Sequence, residues 1–116
     1  MKHLKRMFEK VEDDKVEIMN LLSEIIDEFD GLEMEDVSAD YGDEDDMTIN
    51  ISGFNNLLGE FERQTNLDYL IFYKKLINLI VDTAVRIEEV TGYSVEISGL
   101  NSIFDYDQDY ILIGVY

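Results

Sequence analysis

Residues 66–90 place the tightest constraint on what this chain can fold into. Leu70, Ile71, Phe72, Tyr73, Leu76, Ile77, Leu79, Ile80, Val81 and Val85 recur at helical spacing and lie on more than one side of the cylinder. A helix built from them needs cover over most of its circumference. Thr65, with Asp68 three residues on, reads as its start, a capping box in which Asp replaces Glu or Gln. Thr91 and Gly92 stop it. In a chain of 116 residues this is the central helix of a single domain spanning residues 1–116. At this length folding removes roughly two thirds of the surface from water, and a hydrophobic content of 46% fills one core.

The cover comes from both sides in sequence. Leu4, Met7, Phe8, Val11, Ile18, Met19, Leu22, Ile25, Ile26 and Phe29 keep helical spacing, which predicts one long amphipathic helix ended by Gly31. A break at residues 12–14 is open, since Asp14 with Glu17 can cap a second segment. Residues 47–52 alternate apolar and polar at the strand period, and residues 33–39 form a weaker partner, so the two read as a hairpin. Phe54, Leu57, Leu58 and Phe61 share one face of a short helix over residues 54–62. After the central helix come strands at 95–100 and 110–116, with a loop between them. The nearly all-apolar 110–116 reads as an inner strand.

Both halves thus run helix, glycine stop, strand, acidic loop, strand. The order satisfies an α+β fold, helix-hairpin-helices-hairpin, with a four-stranded, mostly antiparallel sheet and helices packed on one face.

Composition removes many function classes. There is no Cys and a single His, His3, so thiolate metal sites, cysteine nucleophiles and histidine-centred catalysis have almost nothing to work with. The basic start lacks the apolar run of a secretory signal, and the apolar region at 67–81 is interrupted by Asp68, Lys74, Lys75 and Asn78. The expectation is a soluble, cytoplasmic, non-enzymatic protein without a membrane span. Nine bases against 27 acids give a net charge of −18, which repels nucleic acid and anionic membrane alike.

The distribution of that charge is more informative than its size. Residues 16–62 hold fifteen acids and no base, and residues 87–116 hold six acids and no base. The bases are confined to Lys2, Lys5, Arg6, Lys10 and Lys15 at the start and to Arg63, Lys74, Lys75 and Arg86 around the central helix. The hairpin end is therefore expected to be wholly negative, with acidic loops at 40–46 and 105–109 side by side. Closely spaced carboxylates offer Arg the same bidentate targets as phosphates. The candidate partner-binding residues are Glu33, Glu35, Asp36, Asp40, Tyr41, Asp43, Glu44, Asp45, Asp46, Asp105, Tyr106, Asp107 and Asp109. Tyr41, Tyr106, Tyr110 and Tyr116 can serve as aromatic anchors or equally as strand residues covering the hairpin ends.

Other readings compete. The acids can serve solubility alone. Adaptation to high salt fits poorly, because Ile occurs thirteen times and Ala twice. Asp105, Asp107 and Asp109 open like a calcium loop, yet Tyr110 and Tyr116 stand where that loop needs Gly and Glu, so no metal and no cofactor is expected. Too many acids are present to single out a catalytic pair, and Gly42, Gly53 and Gly59 are too isolated to cradle a phosphate.

The leading expectation is a small inhibitor that imitates nucleic acid and blocks a basic, nucleic-acid-binding protein. Immunity proteins against toxic nucleases and anti-restriction or anti-CRISPR factors of phage defence are of this type. The alternative is an acidic chaperone or assembly adaptor, a homodimer that uses an apolar helix face, with Phe8 and Val11 on it, or a C-terminal strand extending the sheet across a dimer axis.

Overall fold

The computed structural model describes residues 11–41, 46–59, 66–104 and 108–116. Its elements in chain order are α1 (Val11–Glu28), β1 (Glu33–Asp36), α2 (Ser38–Tyr41), β2 (Met47–Ser52), α3 (Phe54–Leu58), α4 (Leu67–Thr91), β3 (Val95–Ser98), α5 (Leu100–Phe104) and β4 (Tyr110–Val115). The α+β class holds, with one four-stranded sheet in the order β1-β2-β4-β3 and every neighbouring pair antiparallel.

The two inner strands alternate in burial at the strand period. Met47, Ile49 and Ile51 of β2 are buried opposite Val115, Ile113 and Ile111 of β4. Together with Ile18, Leu22 and Ile25 of α1 and Leu76, Ile80 and Ile87 of α4 they form one apolar cluster. Each fully buried aliphatic side chain contributes about 1.5–3 kcal/mol relative to exposure. The intervening Thr48, Asn50, Leu112 and Gly114 are only half-buried.

The halves also repeat in register. Met34 of β1 lies beside Ile51, and Val95 of β3 lies beside Val115. Since Ile49 pairs with Ile113, a half-turn through that pair exchanges β1-β2 with β3-β4. It matches Met34 with Val95, Glu35 with Glu96, and Gly31 with Gly92.

One open point is settled and three local expectations are corrected. First, α1 runs unbroken through residues 12–14, and Asp14 is buried inside it with only 6% of its surface exposed. The apolar spacing across Lys15 outweighs the local cap signal. Residues 1–10, including Phe8, lie outside the described residues. Second, Asn66 caps α4 in place of Thr65: its side-chain oxygen accepts from the Asp68 and Tyr69 N–H groups at 2.8 and 3.4 Å.

Third, β1 stops at Asp36, because its carboxylate accepts from the Ser38 N–H (2.9 Å) and hydroxyl and so turns the chain into α2. Fourth, the loop expected between β3 and β4 contains α5, whose Ile103 is fully buried. The Tyr69 and Tyr73 hydroxyls of α4 donate to the Phe104 and Leu100 carbonyls at 3.2 and 3.0 Å, which fastens α5 to α4. Tertiary contact of this kind is invisible to a turn-based reading.

The inner position expected for the last strand is correct, since β4 lies between β2 and β3. That placement leaves β4 no free edge with which to extend the sheet across a dimer axis; the edges are β1 and β3. The short helix is observed over Phe54–Leu58, and Phe61 lies outside the described residues. No helix among the described residues is long and apolar enough to cross a membrane.

Candidate acidic interaction surface

β1 sets out the acids. A four-residue edge strand with Met34 half-buried leaves Glu33, Glu35 and Asp36 exposed, and its outer backbone groups have no strand beside them among the described residues. Glu33 and Glu35 stand beside Ser52 and Asn50 on the less buried face of the sheet. Asp40 is exposed on α2. Glu96 occupies the same face at the opposite edge, beside Gly114 and so beyond Thr48. Three strand spacings separate the two edges, roughly 14 Å.

The bases do not reach this surface evenly. Lys75 of α4 lies 3.9 Å from Glu28 of α1, and Arg86 lies 3.4 Å from Glu24. Both pairs are exposed and so contribute at most about 1 kcal/mol each. They do engage two of the four described bases with α1 acids rather than with β1. Lys15 acts on Asp36. Burial raises the Asp36 pKa, but the Ser38 hydroxyl, the Ser38 N–H and the Lys15 charge together outweigh it and hold the carboxyl below its ordinary value.

The two acidic loops are not side by side at their described ends. Asp46 leads into β2 at the end where Met47 pairs with Val115, whereas Asp109 precedes β4 at the end where Tyr110 pairs with Ser52. Antiparallel pairing of two strands that each follow an acidic loop forces the loops to opposite ends, roughly 17 Å apart along the strands.

The two flanking acids also differ in role. Asp109 is occupied internally. Its carboxylate accepts from the Asn55 N–H at 2.7 Å and the Gly53 N–H at 3.3 Å, and its carbonyl accepts from Gly53 and Phe54. An acid from the far hairpin thus caps α3, a role that sequence spacing does not reveal because 54 residues separate it from Asn55.

Asp46 instead lines a shallow cavity of about 240 Å³ on the sheet face with Thr48, Glu96, Ser98, Leu112, Gly114 and Tyr116. There the Glu96 carboxylate acting on the Tyr116 hydroxyl, with lesser contributions from burial and the Asp46 charge, pushes the phenol above its usual value. Tyr110 and Tyr116 are both partly exposed. Asp43, Glu44, Asp45, Asp105, Tyr106, Asp107 and the Tyr41 side chain lie outside the described residues, and with them most of the calcium-like Asp105, Asp107, Asp109 series. Among the described residues no group of three or more potential ligands is placed to hold a metal ion.

The fold and surface define an α+β protein with a half-turn-related pair of hairpins and an acidic edge strand. Comparison with protein-family models, with curated proteins and with solved structures gives no match.

Proposed function

We propose that this protein binds and blocks a basic, nucleic-acid-binding partner through the acidic surface that begins at β1. The observation that carries this reading is the exposed edge strand with Glu33, Glu35 and Asp36, continued by Asp40, while Lys75 and Arg86 of α4 pair with α1 acids instead. An Arg-rich groove meets there a row of carboxylates and an open strand edge. Long-range attraction speeds encounter, and Tyr110 or Tyr116 adds apolar area that slows dissociation. The reading involves no catalytic step and no cofactor.

The test is capture from source-cell lysate with washes at about 50 and 500 mM salt, where screening lengths differ severalfold. Recovery of a nuclease or other nucleic-acid-binding protein, released by salt and displaced by DNA, supports the reading. The variant Glu33→Lys/Glu35→Lys/Asp40→Lys should then abolish capture. Retention of that partner within twofold by the variant, or a partner indifferent to salt, overturns it.

A further inference from the structure

The central helix is less covered than its sequence demands. On α4, Leu67 is 70% exposed, Ile71 58%, Val85 48% and Val81 41%. With Lys74 and Asn78, also exposed, they form the series 67, 71, 74, 78, 81, 85, whose alternating steps of four and three are the spacing of a helix–helix seam. Leu70 is exposed beside it, and Ile77 and Ala84 are half-buried on the same flank. The seam holds no acid, although the chain carries 27 of them.

We infer that this face of α4 pairs with α4 of a second copy of the chain, antiparallel, about a two-fold axis at residue 76. In that register Ile71 faces Val81 of the other copy, Leu67 faces Val85, and Lys74 faces Asn78. Every apolar seam residue meets an apolar one, and the two polar positions meet each other. Ile77 meets Ile77 of the other copy and Leu70 meets its Ala84, which extends the contact along the flank.

Three features select a second copy as the occupant. The seam is self-complementary, as an isologous interface requires. On a chain of net charge −18 its six positions are free of acids and include Lys74, and at one rim Lys75 stands between the exposed Asp68 and Asp82, so two copies meet here with less repulsion than across the acid-lined α1. Its size also suffices. From 67 to 85 the strip is about 27 Å long and 10–12 Å wide, and interdigitated side chains bring the accessible area lost by both copies to on the order of 1,000 Å², the lower limit for a specific interface. The dimer is therefore weak and concentration-dependent. It leaves β1 free, so it stands independently of the proposed partner.

Sedimentation velocity on the full chain between about 1 and 200 µM should show the mean mass rising from the 13.5 kDa of one chain toward twice that value. Added NaCl should favour the dimer by screening its repulsion, opposite to its effect on an electrostatic partner. Ile71→Gln/Val85→Gln, at exposed positions with the charge unchanged, should keep the circular dichroism spectrum and remain monomeric throughout.

Because the chain has no Cys, register is read by crosslinking. Ile71→Cys mixed with Val81→Cys should form the disulfide-linked dimer, whereas Ile71→Cys alone should not, its two thiols being about 15 Å apart along the axis. A single-chain mass up to 200 µM at every salt concentration overturns the inference. So does a dimer that survives Ile71→Gln/Val85→Gln. Slow alkylation of the thiol introduced by Ile71→Cys, in a protein that stays monomeric, also overturns it, since another segment of the same chain would then cover the seam.

Discussion

Asp109 is the residue whose replacement best separates an architectural acid from a partner-binding one. Its carboxylate receives the Asn55 N–H at 2.7 Å and the Gly53 N–H at 3.3 Å, donors at the start of α3 that lack partners within that helix. Asp109→Ala removes both bonds and leaves the backbone bonds of the Asp109 carbonyl in place. Loss of such a cap costs about 1–2 kcal/mol. Unfolding entropy scales at about 2.1 cal/mol/K per residue, so 1 kcal/mol is worth about 4 °C for a chain of this size, and the melting temperature should fall by about 4–8 °C.

Charge pulls the other way. Removing one acid from a molecule of net charge −18 relieves repulsion and tends to raise stability, so the sign of the change is itself diagnostic. Asp109→Asn keeps the acceptor oxygen while removing the charge and should lie between Ala and wild type or match wild type. Glu35→Ala, on the exposed edge strand, is the control and should leave the melting temperature unchanged or raised. The assay is thermal unfolding followed at 222 nm at fixed salt. An Asp109→Ala protein that melts at or above the temperature of Asp109→Asn would refute the cap.

Glycine substitutions should separate backbone strain from collision. Gly31 and Gly53 both have φ near +102°, but a Cβ on Gly31 meets open space whereas one on Gly53 would lie 2.3 Å from the Gly31 carbonyl oxygen. Gly31→Ala should therefore cost about 1–2 kcal/mol and Gly53→Ala clearly more, read as a larger drop in the urea midpoint. Tyr69→Phe, losing the hydroxyl bond to the Phe104 carbonyl, should cost about 1 kcal/mol, against about 2–5 kcal/mol for Ile80→Ala in the core, both from chemical denaturation. Asp36 is held below its ordinary pKa of 3.8, so it stabilises the fold above that value and the benefit is lost as pH falls through its folded pKa. The stability gap between wild type and Asp36→Ala at pH 7 should shrink below about pH 4. Raising NaCl from about 20 to 300 mM should raise the melting temperature of the free protein, and an unchanged value would mean that the acids lie farther apart than a screening length.

The elements legible in the sequence are those in which local pattern and tertiary packing agree. Residues 47–52 alternate, and β2 occupies Met47–Ser52; the run of 66–90 becomes α4 within a residue at each end. Where a cross-chain contact decides the conformation, pattern fails. Residues 100–104 carry the i, i+3, i+4 apolar spacing of a single helical turn in Leu100, Ile103 and Phe104, too short a run to mark a helix by pattern alone, and the Tyr69 and Tyr73 hydroxyls hold their carbonyls against α4. Asp109 reads as one more loop acid, and only the fold sets it against Asn55 from the other hairpin. The relation of the acidic loops is readable in principle, since two like halves meeting through antiparallel inner strands must carry their loops to opposite ends.

The half-turn also isolates what the fold leaves undetermined. Positions exchanged by it share an architectural role, yet Asp36 on β1 corresponds to Ile97 on β3, since each stands beside the Ile49·Ile113 pair. An acid at that position adds to Glu33 and Glu35 in blunting the β1 edge against indiscriminate strand pairing, whereas β3 has Glu96 as its one edge acid. The helices diverge in the same sense. The outer side of α1 exposes Asp13, Glu17, Glu24, Asp27 and Glu28, whereas the outer seam of α4 exposes Leu67, Ile71, Val81 and Val85. Acids retained only for solubility would be most useful on that apolar seam, where none is found. The acids of α4 that are exposed, Asp68, Asp82, Glu88 and Glu89, lie beside the seam and not within it, and this asymmetry between the outer sides of α1 and α4 is what the proposed dimer and the proposed acidic interface each require.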